Sequence, residues 1–111
     1  MMKVALSPVA TGLLRVLIAR ADAHRDRICL MDCRSVDWQS LTFIGERHEL
    51  SLRILGPHAD AIASRLLDGL EEAEFSLRGH IVADIARASA PLACSDGSIE
   101  IRLEALTLVD A

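Results

Sequence analysis

In HELSLRIL (residues 48–55) the apolar residues Leu50, Leu52 and Ile54 alternate with Glu49, Ser51 and Arg53. Alternation with period two describes a strand with one face in a core and the other in water. Gly56-Pro57 breaks it, since proline has no N–H to give to a sheet ladder. Next, Ala59, Ile62, Ala63, Leu66, Leu67 and Leu70 recur at three- and four-residue steps, which is a single apolar stripe along a helix. The acidic link Glu71-Glu72-Ala73-Glu74 leads into FSLRGHIVADI (residues 75–85), where Phe75, Leu77, Ile81, Ala83 and Ile85 alternate again. Strand, helix and strand between Arg47 and Ile85 require a helix packed on one face of a sheet.

The flanking segments extend the pattern. Ser7 suits a helix N-cap and Pro8 the first helical position; Val9, Leu13, Leu14, Leu17, Ile18 and Ala21 follow at helical spacing, so the first helix is expected from Pro8 to His24. After the charged turn Arg25-Asp26-Arg27, residues 28–38 read as a strand with Ile28, Leu30, Val36 and Trp38 on one side and Cys29, Met31, Cys33 and Ser35 on the other. Asp32 and Arg34 fall in its apolar register, which marks an edge strand or a bulge. A second strand is expected over 41–55. Its apolar phase moves from the odd positions Leu41 and Phe43 to the even ones from Leu50 onward, and Gly45 is the natural place for the bulge or break. The second helix is expected over 57–70 and the third strand over 75–88, with Gly79 inside it as a bulge or, less simply, a close backbone approach. Residues 91–97 form a loop, tightest at Asp96-Gly97. The fourth strand spans 98–109, with Ile99, Ile101 and Leu103 on one face and Glu100, Arg102 and Glu104 on the other. Leu106 and Leu108 leave that phase, as in a strand covered on both sides near its end.

Residues 1–111 are thus expected to form a single α+β domain. Its architecture is a two-layer sandwich of α-β-β-α-β-β order, with an antiparallel four-stranded sheet and two helices on one face. The same order arises when the first strand of a ferredoxin-like fold is moved to its end. A repeated α-β-β unit is the alternative.

Composition limits function. Half of the residues are hydrophobic (51%), only 3% are aromatic and tyrosine is absent, so the core is aliphatic. A net charge of −4 argues against a nucleic-acid surface, which is ordinarily basic. Trp38, Phe43 and Phe75 are the only rings on which single-stranded bases could stack. Lys3, an apolar tract and Ala21-Asp22-Ala23 loosely imitate a secretion signal. Ser7-Pro8, Gly12, Arg15 and Arg20 interrupt it, so a folded helix is expected instead. No run approaches the roughly 20 apolar residues that span a bilayer, and no membrane partner is expected. The cysteines, Cys29, Cys33 and Cys94, are odd in number; free thiols in a cytoplasmic protein are expected rather than a disulfide framework.

The polar sheet face carries the candidate chemistry. With Ile81, Ala83 and Ile85 inward, Arg78, His80, Val82 and Asp84 point outward beside Glu100, Arg102, Glu104, Glu49, Ser51 and Arg53. A ligand site is then expected at Arg78, His80, Asp84, Arg102 and Glu104: His80 as acid–base, Asp84 or Glu104 orienting it, an arginine holding an anion. The plainer alternative is cross-strand charge pairs on a solvated sheet, worth tenths of a kcal/mol each. His80 and Asp84 lie about 13 Å apart along one strand, out of mutual reach. The same spacing separates Cys29 from Cys33, and the histidines form no HxH or HxxxH pair, so no metal and no cofactor are expected. There is no GxSxG and no P-loop, and no catalytic residue is assigned.

The segments DWQSLTFIGERHELSLRILGP, LEEAEFSLRGHIVADI and DGSIEIRLEALTLVD resemble a small family of bacterial proteins of unassigned function. The likeness covers Asp37 to Ala111, with RGHIVADI and EALTLVD its most specific parts. It implies a bacterial, soluble protein and supplies no activity, cofactor or site residue. The reading that follows is a non-catalytic module that forms a homodimer or binds another protein. The rival is a small-molecule binder or enzyme using the face around His80, Asp84 and Arg102.

Overall fold

The computed structural model describes residues 6–110; Lys3, the charged start of the signal-like segment, and Ala111 lie outside the described residues. Helix α1 (Pro8–Ala21) begins as its cap predicts. Ser7 has extended backbone and its Oγ accepts the Ala10 N–H at 3.2 Å, while Pro8 occupies a first-turn position where no N–H is needed. The helix ends earlier than expected. Asp22 adopts a left-handed conformation (φ 50°), and a 3₁₀ turn, Arg25–Arg27, follows before the sheet.

Among the described residues the sheet has six strands: β1 (Ile28–Gln39), β2 (Ile44–Ile54), β3 (Ser76–Leu77), β4 (His80–Arg87), β5 (Leu92–Ala93) and β6 (Ile99–Val109). The fold is α+β, an open antiparallel sheet with two helices. The strand order is β1-β2-β6-β4-β3, with β5 also paired to β6. Helix α2 (Ala59–Leu67) and a 3₁₀ turn (Leu70–Glu72) connect β2 to β3.

The expected count of four strands is corrected to six, for two local reasons. The third strand is cut at Arg78-Gly79, where Gly79 (φ 73°) makes a tight turn and Leu77 pairs with His80; glycine takes that conformation without a Cβ penalty. Gly79 is therefore a hairpin turn and not a bulge. Leu92 and Ala93, read as loop, add a short strand beside Ile99 and Glu100.

Of the bulge or break expected at Gly45, no bulge is present; the break lies just ahead of it, in the β1–β2 connection. β2 starts at Ile44, and Leu41 and Phe43 sit exposed in the β1–β2 connection, so their phase says nothing about the strand. Pairing runs in register through Gly45 on both sides. A Cβ there would lie 1.9 Å from the Thr107 carbonyl oxygen, so a close strand approach explains the glycine. β6 likewise keeps one register across β2 from Ile99 to Leu108. Leu106 and Leu108 therefore lie on the face away from the helices, while Ala105 and Thr107 continue the buried side.

The core is the helix-side face of the sheet. Leu50, Leu52 and Ile54 of β2, Ile101, Leu103 and Ala105 of β6 and Ile85 of β4 meet Leu13 and Leu17 of α1 and Ile62, Ala63, Leu66 and Leu67 of α2. Every residue of the stripe predicted from Ala59 to Leu70 is buried. Each large aliphatic side chain removed from water contributes about 1.5–3 kcal/mol, which compensates for the scarcity of aromatic rings.

Candidate functional site

The face of β2, β6 and β4 away from the helices is built in cross-strand rows. Opposite one another stand Arg53 and Glu100, Ser51 and Arg102, Glu49 and Glu104, and Arg47 and Leu106. Among the described residues the one ion pair on this face is Arg53–Glu100. Glu49 and Glu104 are like charges directly opposed, and with Asp32, Ser51 and Arg102 they border an open depression of about 380 Å³. Beyond Arg47 the face turns apolar. Leu106 lies between Arg47 and Asp84, and Leu108 between Gly45 and Ile81. Val36 and Trp38 of β1 complete the same two rows.

The five residues expected to form one site are divided between two faces. β4 pairs with β6 through Ile81–Leu108 and Val82–Thr107, then slips so that Asp84 meets Leu106 and Ile85 meets Ala105. Ala83 is the extra residue of a bulge, and a one-residue slip exchanges the faces. Asp84, Arg102 and Glu104 thus share the outer face, whereas His80, opposite Val109, belongs to the helix side together with Val82 and Ile85. Ile81, expected inward, is on the outer face and 46% exposed. Arg78 lies in the β3–β4 turn. No orienting carboxylate for His80 comes from Asp84 or Glu104. Its Nδ1 is instead 3.2 Å from the Arg78 carbonyl oxygen, so Nδ1–H donates there and Nε2 remains available.

His80 borders two cavities. One, of about 310 Å³, lies between the first turns of α1 and the β3–β4 turn and is lined by Thr11, Arg15 and Arg78 among others. The other, of about 360 Å³, is lined by Asp37, Glu46, Ile44 and Val109.

A second histidine, not singled out from the sequence, lies two rows inward. His48 is fully buried (0% exposed). Its Nδ1 is 2.7 Å from Ser35 Oγ on β1 and its Nε2 is 2.8 Å from Thr107 Oγ1 on β6. Thr107 Oγ1 also reaches the Glu46 carbonyl oxygen at 3.4 Å. Burial pushes the His48 pKa below its ordinary value; Glu46 pulls it up and His80 pushes it down. The ring is therefore held neutral between two hydroxyls, an arrangement that satisfies every polar atom of a core histidine. The sequence carried the signal: His48 begins the even register of Leu50, Leu52 and Ile54, so it had to point inward.

Cys33, near Ser35 at 3.9 Å, has its thiol pKa raised, chiefly by burial, which leaves a poor nucleophile. The slip between Leu30 and Asp32 makes Met31 the bulge residue of β1. Cys29 and Cys33 then lie on opposite faces, and all three cysteines are free. Among the described residues no group of three or more His, Cys, Asp or Glu side chains is placed to hold a metal ion, and no helix is long and apolar enough to cross a membrane. No family model matches the chain, and no curated protein matches it.

Proposed function

We propose that the chain is a single α+β module that works by pairing with a second copy of itself through the apolar half of its outer sheet face. The observation that carries this reading is the division of that face into two halves. An antiparallel sheet can leave one face to water, and the charged half around Arg53, Glu100 and Arg102 needs no cover. The half made of Val36, Trp38, Ile81, Leu106 and Leu108, interrupted by Arg47 and Asp84 on either side of Leu106, is different. Val36 and Ile81 are 44% and 46% exposed, and an exposed apolar patch on a sheet marks an interaction surface.

A twofold axis near Leu106 sets this patch against its own copy, as isologous interfaces require, and leaves Arg34, Glu49 and Glu104 at the polar rim. The free edge of β1 is the weaker candidate. The Met31 bulge and the charges of Asp32, Arg34 and Asp37 are devices that discourage strand addition. The strand order β1-β2-β6-β4 is compatible with a ferredoxin-like sheet whose first strand has moved to the end, with β3 and β5 as additions. The three free thiols support placement in a reducing compartment, the cytoplasm.

Light scattering on the purified protein tests the reading. A mass of twice the 12.1 kDa chain at micromolar concentration is expected, and Leu106→Lys is expected to return the monomer with its fold intact. A wild-type protein that stays monomeric as concentration rises, or a Leu106→Lys variant that remains a dimer, refutes it.

A further inference from the structure

We infer that the cavity between α1 and the β3–β4 turn is a binding site for a small organic oxyanion, a carboxylate or phosphate ester with an apolar body. The inference is separate from the self-association of the outer face.

It starts from how the arginines are used. Arg20 donates to the carbonyl oxygens of Leu66 and Asp68, Arg27 to those of Leu55 and Pro57, and Arg65 to those of Ala21 and Asp22. Arg53 pairs with Glu100 and Arg87 with Glu71. Among the described residues Arg15, Arg25, Arg34, Arg47, Arg78 and Arg102 have no such partner, and of these Arg15 and Arg78 come together to line this one cavity with His80. The chain carries 16 acidic residues against 12 basic ones, yet among the described residues no carboxylate lines the cavity. Asp37 and Glu46 belong to the second cavity that His80 borders. Gathering cations without a counter-charge destabilises a fold by mutual repulsion, and a bound anion removes that penalty.

The donors suit an oxyanion. Arg15 and Arg78 each offer a planar fork for two oxygens. The His80 Nδ1 contact with the Arg78 carbonyl oxygen leaves Nε2 as the ring atom that can meet a ligand, and it donates once the ring is protonated. Thr11 adds a hydroxyl. The rest of the lining is apolar, with Pro8, Val9 and Leu77, and accommodates hydrocarbon rather than a hydrated ion. About 310 Å³ is at the lower end of the range for small-molecule pockets, so the ligand is a small metabolite and not a long acyl chain.

NMR titration of the full chain with hexanoate and, separately, with inorganic phosphate decides the matter. Hexanoate is expected to give saturable shifts of the His80 ring and of the Val9 and Thr11 amides, with phosphate about tenfold weaker because it leaves the apolar lining empty. Arg15→Gln combined with Arg78→Gln should weaken hexanoate by about tenfold or more, the worth of charge-assisted hydrogen bonds. Arg34→Gln on the outer face should leave it unchanged. Both cavity arginines are exposed, so the double variant should keep its melting temperature and remain interpretable. Absence of saturable shifts with either anion overturns the site. Undiminished binding by the double variant does so as well, and phosphate binding as tightly as hexanoate overturns the assignment of an apolar body.

Discussion

At the scale of single residues, His48 shows how a polar side chain is made compatible with an aliphatic core. It occupies the inward register of β2, and the two hydroxyls that meet its ring nitrogens come from the neighbouring strands on either side. Truncating it strands both hydroxyls and leaves a cavity, so His48→Ala is expected to destabilise the fold by about 2 kcal/mol or more. The ring also predicts a pH dependence. Its pKa is depressed in the folded chain, by burial above all. Below about pH 6.5 the unfolded chain takes up a proton on this residue that the folded chain refuses. Stability is therefore fully present above that pH and declines as pH falls toward the folded value. Glu46 and His80 are the charged neighbours that modulate it. Denaturant melts on both sides of that pH should show the decline, and His48→Gln should flatten it. An unchanged slope in His48→Gln would assign the decline to other groups.

At the scale of elements, the two helices hold each other by their ends. Arg20, in the last turn of α1, donates from Nε to the Leu66 carbonyl oxygen at 2.9 Å, and Arg65, in the last turn of α2, donates from Nε to the Ala21 carbonyl oxygen at 2.9 Å. Each helix thus receives a cation at the C-terminal carbonyls it cannot satisfy itself. From the helical stripe alone Arg65 lies off the core and looks dispensable, but the reciprocal contact changes that expectation. Arg65→Ala and Arg20→Ala should each destabilise the fold by about 1 kcal/mol, the net worth of such bonds, whereas Arg34→Ala on the outer face should stay within about 0.5 kcal/mol. Equal melting temperatures for Arg65→Ala and Arg34→Ala would show the helix-end contacts to be energetically idle. The bulges at Met31 and Ala83 act at the same scale. Each reverses the face of every residue beyond it, so Val36 and Trp38 reach the outer face and His80 leaves it.

At the scale of the whole molecule, the asymmetry of the sheet governs behaviour in solution. One face is closed by two helices, and the other is charged at one end and apolar at the other. If the apolar end binds its own copy, dimerisation stabilises only the folded chain, and mass action makes the melting temperature rise with protein concentration. The expected outcome is a concentration-dependent melt for the wild type and a concentration-independent one for Leu106→Lys. A wild-type melt insensitive to dilution through the micromolar range would remove the outer face as the contact.

The sequence by itself determined the α+β class, the α1 cap at Ser7-Pro8, the apolar stripe of α2 and the charged rows of β2 and β6. Each of these is a local pattern, repeated over enough residues that chain geometry alone dictates which side is buried. The tertiary structure alone decided what happens where a pattern is interrupted. At Gly79 a turn replaces the expected bulge, at Gly45 a close strand approach accounts for the glycine while the break falls just before Ile44, and at Ala83 a bulge interrupts the regular alternation. A bulge is specified by the partner strand's register, and a close approach by the backbone of a strand more than half the chain away, as Thr107 is from Gly45; neither leaves a mark in a window of neighbouring residues. For the same reason the expected site separated. Arg78 and His80 joined α1 and its Arg15, and Asp84, Arg102 and Glu104 stayed on the sheet, because one extra residue in β4 decides which face each side chain can reach.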